Sequence, residues 1–204
     1  MSDTRPPLST LLPLAARVLR LPFAKAPEAP DFPVVRAVQA HWEELRAGRL
    51  APSRAEVEPR SLAACLDKVF VAELIAPGVA RLRLAGQHLA ELVGMEPRGM
   101  PLSVLFEGAG RDELASALKQ VQAGARVVLP LRSDRAMGQP VMDGMLALMP
   151  LTDSKGQMTR VLGVLETIGP VGRAPRRFRT LAGPRETRPL VGKPALRVIA
   201  GGRA

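Results

Sequence analysis

The residues that could carry chemistry are few and scattered. The two histidines, His41 and His88, stand far apart with no partner motif. Cys65 is the single cysteine, so neither an intramolecular disulfide nor a CxxC metal pair can form. A lone thiol suits a reducing, cytoplasmic setting. Carboxylates occur side by side or alternating: Glu43 with Glu44, Glu56 with Glu58, Asp112 with Glu113. Neighbours one apart do not share a helix face, so none of these reads as an acid/base couple. The chain holds no P-loop, GxSxG or HExxH motif. The short "EGAG" at 107–110 precedes a helix but is not a full phosphate-binding loop. These residues lead to the expectation that the protein is not an enzyme.

The elements that would position any site are legible from hydrophobic period. "PVVRAVQAHWEELR" carries Val35, Val38, Trp42 and Leu45 on one helical face, with Pro33 in the first turn and Asp31 placed to help cap it. A second short helix is expected over about 59–66. "KVFVAELIA" (68–76) is a strand by its β-branched and aromatic content, "PG" makes a turn, and "VARLRLAG" returns as a hairpin partner. In that partner Leu82 and Leu84 are expected on the same side. Helical spacing then appears at Leu89, Leu92 and Val93, ended by Gly94, and again at Leu114, Leu118 and Val121 before Gly124. Three more strands follow: "RVVLPLRS", "PVMDGMLALMPL" and "QMTRVLGVLETI". Pro130 inside the first of them argues for an edge or a bulge. Strand blocks on either side of a helical insert predict an α+β fold: an antiparallel sheet with helices over one face and a cavity between.

Composition divides the chain into three. Aromatic residues make up only 3% of it, so the core must be aliphatic. The net charge of +10 is uneven: residues 1–30 carry +2, residues 31–169 carry sixteen charges of each sign, and residues 170–204 carry nine basic side chains against Glu186 alone. Residues 1–30 read as a flexible arm with a short amphipathic segment, "LAARVLRL". Residues 31–169 form the domain. Residues 170–204, rich in Pro, Gly and Arg, read as a disordered basic tail with one strand-like island, "ALRVIA". No apolar run approaches the ~20 residues of a membrane span.

The order of elements resembles the PAS fold. "WEELRAGRLAPSRAEVEP", "RLRLAG" with the following "LVGMEPRG", and "LMPLTDSKGQMTRVLGVLE" together are similar to a short, stand-alone bacterial PAS variant formerly catalogued as a domain of unknown function. The resemblance covers about 34–168. It implies a five-stranded antiparallel sheet with helices on one face, preceded by an N-terminal helix that packs on the sheet or on a dimer mate. The glycines of the second-strand-to-helix junction, Gly86, Gly94 and Gly99, would let the chain turn sharply under the helices.

A PAS cavity would be lined by Phe70, Leu84, Leu92, Leu105, Leu118, Leu129, Met145 and Leu165, the alternative being that these side chains simply fill the core. Arg132 and Arg135 could meet an anionic ligand at its mouth. Haem would need an axial ligand, for which only His88 is placed, and it reads as an ordinary helix-start residue. A photoactive flavin would need a cysteine in a polar Asn-Cys-Arg-type helix, whereas Cys65 has apolar neighbours. No haem or flavin attachment motif is seen, and the cofactor is left unknown. The implied function is a sensory or adaptor protein in bacterial signal transduction, in contact with a pathway protein or a second copy through Val35, Val38, Trp42 and Leu45. The alternative uses the charged ends: nucleic acid on the basic tail, with only Phe178 there to stack on bases, or weak contact with a membrane surface through the N-terminal arm, aided by Arg176, Arg177 and Arg179.

Overall fold

The computed structural model describes residues 30–181 and 186–190. The amphipathic arm and the "ALRVIA" island lie outside them. Proline fixes φ at the start of α1 (Pro33–Arg46), and Ala47, in the left-handed region at φ 47°, ends it one residue ahead of Gly48. Asp31 does not cap this helix; it pairs with Arg36. The cap comes from far along the chain: the amide of Val35 donates to Oε2 of buried Glu166 at 3.0 Å. Lys68 stands 3.7 Å from the other Glu166 oxygen. The carboxylate therefore ties the helix start to the sheet and meets the positive end of the helix dipole.

After short 3₁₀ turns at Arg54–Glu56 and Pro59–Cys65 come β1 (Val69–Ala76), β2 (Val79–Ala85) and α2 (Gln87–Val93). A further 3₁₀ turn, Leu102–Leu105, leads to α3 (Ala109–Gln122), then β3 (Ala125–Ser133), β4 (Met142–Leu151) and β5 (Arg160–Ile168). The strands form one antiparallel sheet in the order β2-β1-β5-β4-β3. This is the expected α+β fold with five central strands, and α2 and α3 cover one face. Phe70, Leu82, Leu118, Leu146 and Leu165 belong to the core on that side. The opposite face is covered by α1 and the Pro59–Cys65 turn, over Val69, Val71, Ala147, Met149, Leu162 and Val164. Strands β1, β3, β4 and β5 thus send residues into two separate cores, one on each face.

The expected disordered tail is corrected in its first part. Residues 170–181 run as a strap along the helix-covered side. The amide of Arg176 donates to Leu92 O (2.6 Å), that of Phe178 to Leu105 O (2.8 Å) and that of Leu181 to Pro130 O (2.9 Å). Two short strands, β6 (Arg179–Thr180) and β7 (Glu186–Pro189), add to the β3 edge. β7 pairs with 125–128 and β6 with Leu131 and Arg132. Pro130 falls between them, where a strand without an amide hydrogen cannot donate.

The β2–α2 junction works differently from expectation. Gly94 and Gly99 do take positive φ, 82° and 85°. Gly86 does not: its φ is −72°. Glycine is needed there for space, since a Cβ would stand 2.1 Å from the carbonyl oxygen of Leu66 and 2.2 Å from that of Asp67.

Candidate functional site

Six of the eight expected cavity residues converge. Phe70, Leu92, Leu105, Leu118, Leu129 and Leu165 are all buried in one cluster between the sheet and α2 and α3. They pack with Phe106 and with Phe178, which the strap delivers. The Phe70 ring lies over the backbone of its β5 partner Gly163, where a Cβ would come within 2.0 Å of it. Together these side chains form the helix-side core.

The other two are elsewhere. Val71 pairs with Leu84 while the next residue, Ala72, pairs with Leu82, so Arg83 is an extra residue in β2. That bulge turns Leu84 onto the opposite face, where it is 49% exposed. Met145 also lies on that face, beside the α1 core, because Met142, Leu146 and Leu148 take the helix side of β4. The interaction stripe is corrected as well. Val35, Val38 and Trp42 are buried against the protein's own sheet, with Leu45 half-buried beside them. Trp42 Nε1 donates to Pro150 O at 3.0 Å. Of the two placements implied for this helix, the chain adopts packing on its sheet.

Neither Cys65 nor His88 lines the two cavities described below. Cys65 is buried in the α1-side core, and its thiol donates to Leu62 O at 3.2 Å. Burial pushes its pKa up, away from the reactive thiolate. His88 has both ring nitrogens engaged: Nε2 is 2.9 Å from Thr167 Oγ1, and Nδ1 is 3.7 Å from Glu91. Among the described residues no cluster of His, Cys, Asp and Glu could hold a metal ion.

Desolvation lowers the His88 pKa, aided by Lys68 and opposed by the Glu91 and Asp67 charges. A folded pKa below the ordinary ~6.5 means that the unfolded chain binds more protons in that window. Stability is therefore present above about pH 6.5 and lost as pH falls through the folded value. Melting curves at pH 7.5 and 5.5 are expected to show this loss, and His88→Gln to flatten it. An equal loss in both proteins would place the titrating group elsewhere.

An open apolar groove lies on the α1 side. It has a volume of about 450 Å³ and runs beneath the Pro59–Cys65 turn. Val57, Leu62, Val71 and Leu162 form its floor, and Leu66 and Leu84, 40% and 49% exposed, stand at its edges. Arg54 and Asp67 also line it. Arg54 gives one bond to Val57 O and enters no ion pair among the described residues. The basic end of the chain offers less than its composition suggested. Phe178 and Arg176 are buried and Arg179 pairs with Asp134, so neither the sole aromatic nor two of the three arginines is free for nucleic acid or lipid. No described helix is long and apolar enough to cross a membrane.

No curated protein matches the chain. Among solved structures, the dark form of the blue-light photoreceptor aureochrome 1 LOV aligns at 16% identity with a TM-score of 0.40, over 70% of this chain and 87% of that one. A Rhodobacter sphaeroides LOV protein aligns at 18% identity with a TM-score of 0.41, over 64% of this chain and 68% of that one. An RNA-binding light-oxygen-voltage receptor aligns at 21% identity with a TM-score of 0.40, over 56% and 35%. A family profile described as a PAS domain matches residues 30–166, a span that holds α1 and all but the last two residues of β5. With that match and the sheet order above, the chain belongs to the PAS domain family.

Proposed function

We propose that this PAS protein is a sensory and adaptor module of bacterial signal transduction that acts without catalysis, by contact with another protein. The observation that carries the reading is the apolar groove beside Leu66 and Leu84, on the sheet face away from the helix-side core. Exposed aliphatic side chains around a groove of this size favour a partner over bulk water. The occupant is a protein segment that presents aliphatic side chains to the floor, a carboxylate to Arg54 and a basic group to Asp67. Neither Arg54 nor Asp67 enters an ion pair among the described residues.

A partner captured from source cells by the full-length chain is to be identified, purified and titrated. Leu84→Glu is expected to weaken its binding by about tenfold or more, since a desolvated carboxylate opposes an apolar contact. Lys119→Glu, on the exposed face of α3, is expected to leave it unchanged. Binding indifferent to Leu84→Glu would overturn the groove as the contact surface.

A further inference from the structure

The strap lies beyond the span of the PAS match and forms one wall of a second cavity, a cleft of about 570 Å³. The facing wall is the 134–139 loop between β3 and β4. The two walls are fastened to each other. The Arg173 amide donates to Gly138 O at 2.7 Å, and Gln139 Nε2 donates to Arg173 O at 2.9 Å and Pro175 O at 3.0 Å. Ala136 and Gln139 exchange two backbone bonds within the loop, each 2.9 Å. A cleft held this way needs little ordering when a ligand enters.

Its charge is lopsided. Arg135, Arg173 and Arg177 line it, all exposed, and none enters an ion pair among the described residues. Of its two carboxylates, Asp134 is engaged by Arg179, with Nε to Oδ2 at 2.6 Å and Nη2 to Oδ1 at 3.1 Å. Only Glu107 remains. Between the cleft residues Pro175 and Arg177 the Arg176 side chain is fully buried. It donates to Val171 O (3.2 Å) and Pro140 O (2.6 Å), and its Nε has no partner. No carboxylate compensates this guanidinium among the described residues. A buried cation without a counter-ion adds to the positive potential of the cleft beside it.

We propose that this cleft binds an organic phosphate of mononucleotide size, with Arg135, Arg173 and Arg177 on the phosphate and Met137 and Pro175 under the organic part. Guanidinium forks match phosphate oxygens in pairs, and a phosphate dianion answers several arginines where a lone carboxylate would answer one. The cavity has the size of a small-ligand site. Met137, 88% exposed on its rim, is an adaptable apolar surface held in water for no internal purpose. Glu107 offers an acceptor to a sugar hydroxyl or an amino group.

The test is calorimetric titration of the full chain with AMP and, separately, with pyrophosphate, at about 0.15 M salt so that diffuse attraction is screened. One saturable site is expected for AMP. The double variant Arg173→Gln, Arg177→Gln is expected to weaken AMP by at least about tenfold. Both side chains are exposed, so its melting temperature should be unaltered. Met137→Ala should weaken AMP and not pyrophosphate. Arg60→Gln, exposed and outside the cleft, should change neither. Absence of saturable binding, or equal weakening by Arg60→Gln and by the double variant, would overturn the site. AMP binding unchanged by Met137→Ala would overturn the role of the organic part.

Discussion

Phe178→Ala is expected to lower the free energy of unfolding by about 3–5 kcal/mol. The ring is fully buried in the helix-side core, whose other members come from the sheet and from both helices of that face. Its backbone is held on both sides: its amide donates to Leu105 O at 2.8 Å, and its carbonyl accepts from Glu107 N at 3.1 Å. The cavity left by alanine cannot collapse easily between elements pinned in this way. Domains of this kind have only about 5–15 kcal/mol in total, so the loss is a large part of the whole. Urea unfolding measures it directly, and Phe178→Leu should restore most of the difference. A loss below about 1 kcal/mol would mean that the strap does not contribute to the core, since full burial of a phenylalanine cannot be forfeited so cheaply.

The expectation for Trp42→Ala is similar in size and concerns the other core. The indole is fully buried between α1 and the sheet, and its Nε1 donates to Pro150 O at 3.0 Å. Truncation removes about 3–5 kcal/mol of packing and leaves that carbonyl without this donor, a further ~1–3 kcal/mol if water does not reach it. Trp42→Phe separates the two, since it keeps most of the ring contact and loses only the hydrogen bond. Chemical unfolding followed by circular dichroism serves all three proteins. Trp42 is the only tryptophan, so its fluorescence reports the opening of this face in the wild type. Because the residue faces its own sheet, the self-association of the folded variant should equal that of the wild type in sedimentation. A variant of unaltered stability that sediments differently would return Trp42 to the role of an interface residue.

These two cores have opposite histories in the sequence. The α1-side core could be read from Val35, Val38 and Trp42 at helical spacing, because a helix that buries one face must repeat its apolar residues with the helical period. Its partner could not be read: the same stripe serves a sheet of its own chain or the surface of another. The strap was invisible for the opposite reason. It contributes through Arg176 and Phe178, single residues two apart in a segment rich in Pro, Gly and Arg. A segment that crosses a core as an extended strap needs no period and no high hydrophobic content. Composition therefore argued for disorder where isolated contacts suffice to hold the chain.

The candidate sites follow the same division. Alternation placed Phe70, Leu129 and Leu165 on the correct face of their strands, and failed at Leu84 because Arg83 is an extra residue in β2. A one-residue insertion inverts every later side chain of a strand, and nothing in "RLRLAG" marks it. It left Leu84 exposed at the edge of the apolar groove. Arg135 could be singled out as a residue for anions, but its company in the cleft depends on the strap returning beside the 134–139 loop, some forty residues later in the chain. By itself the sequence determined the secondary elements, the antiparallel α+β class and the PAS resemblance, because local period and turn chemistry act within a few residues of one another. Only the tertiary structure decided which face Leu84 takes, what α1 covers, and that the basic segment closes a core and walls a cleft. Those outcomes rest on register and on contacts between residues far apart in the chain, and no local pattern encodes them.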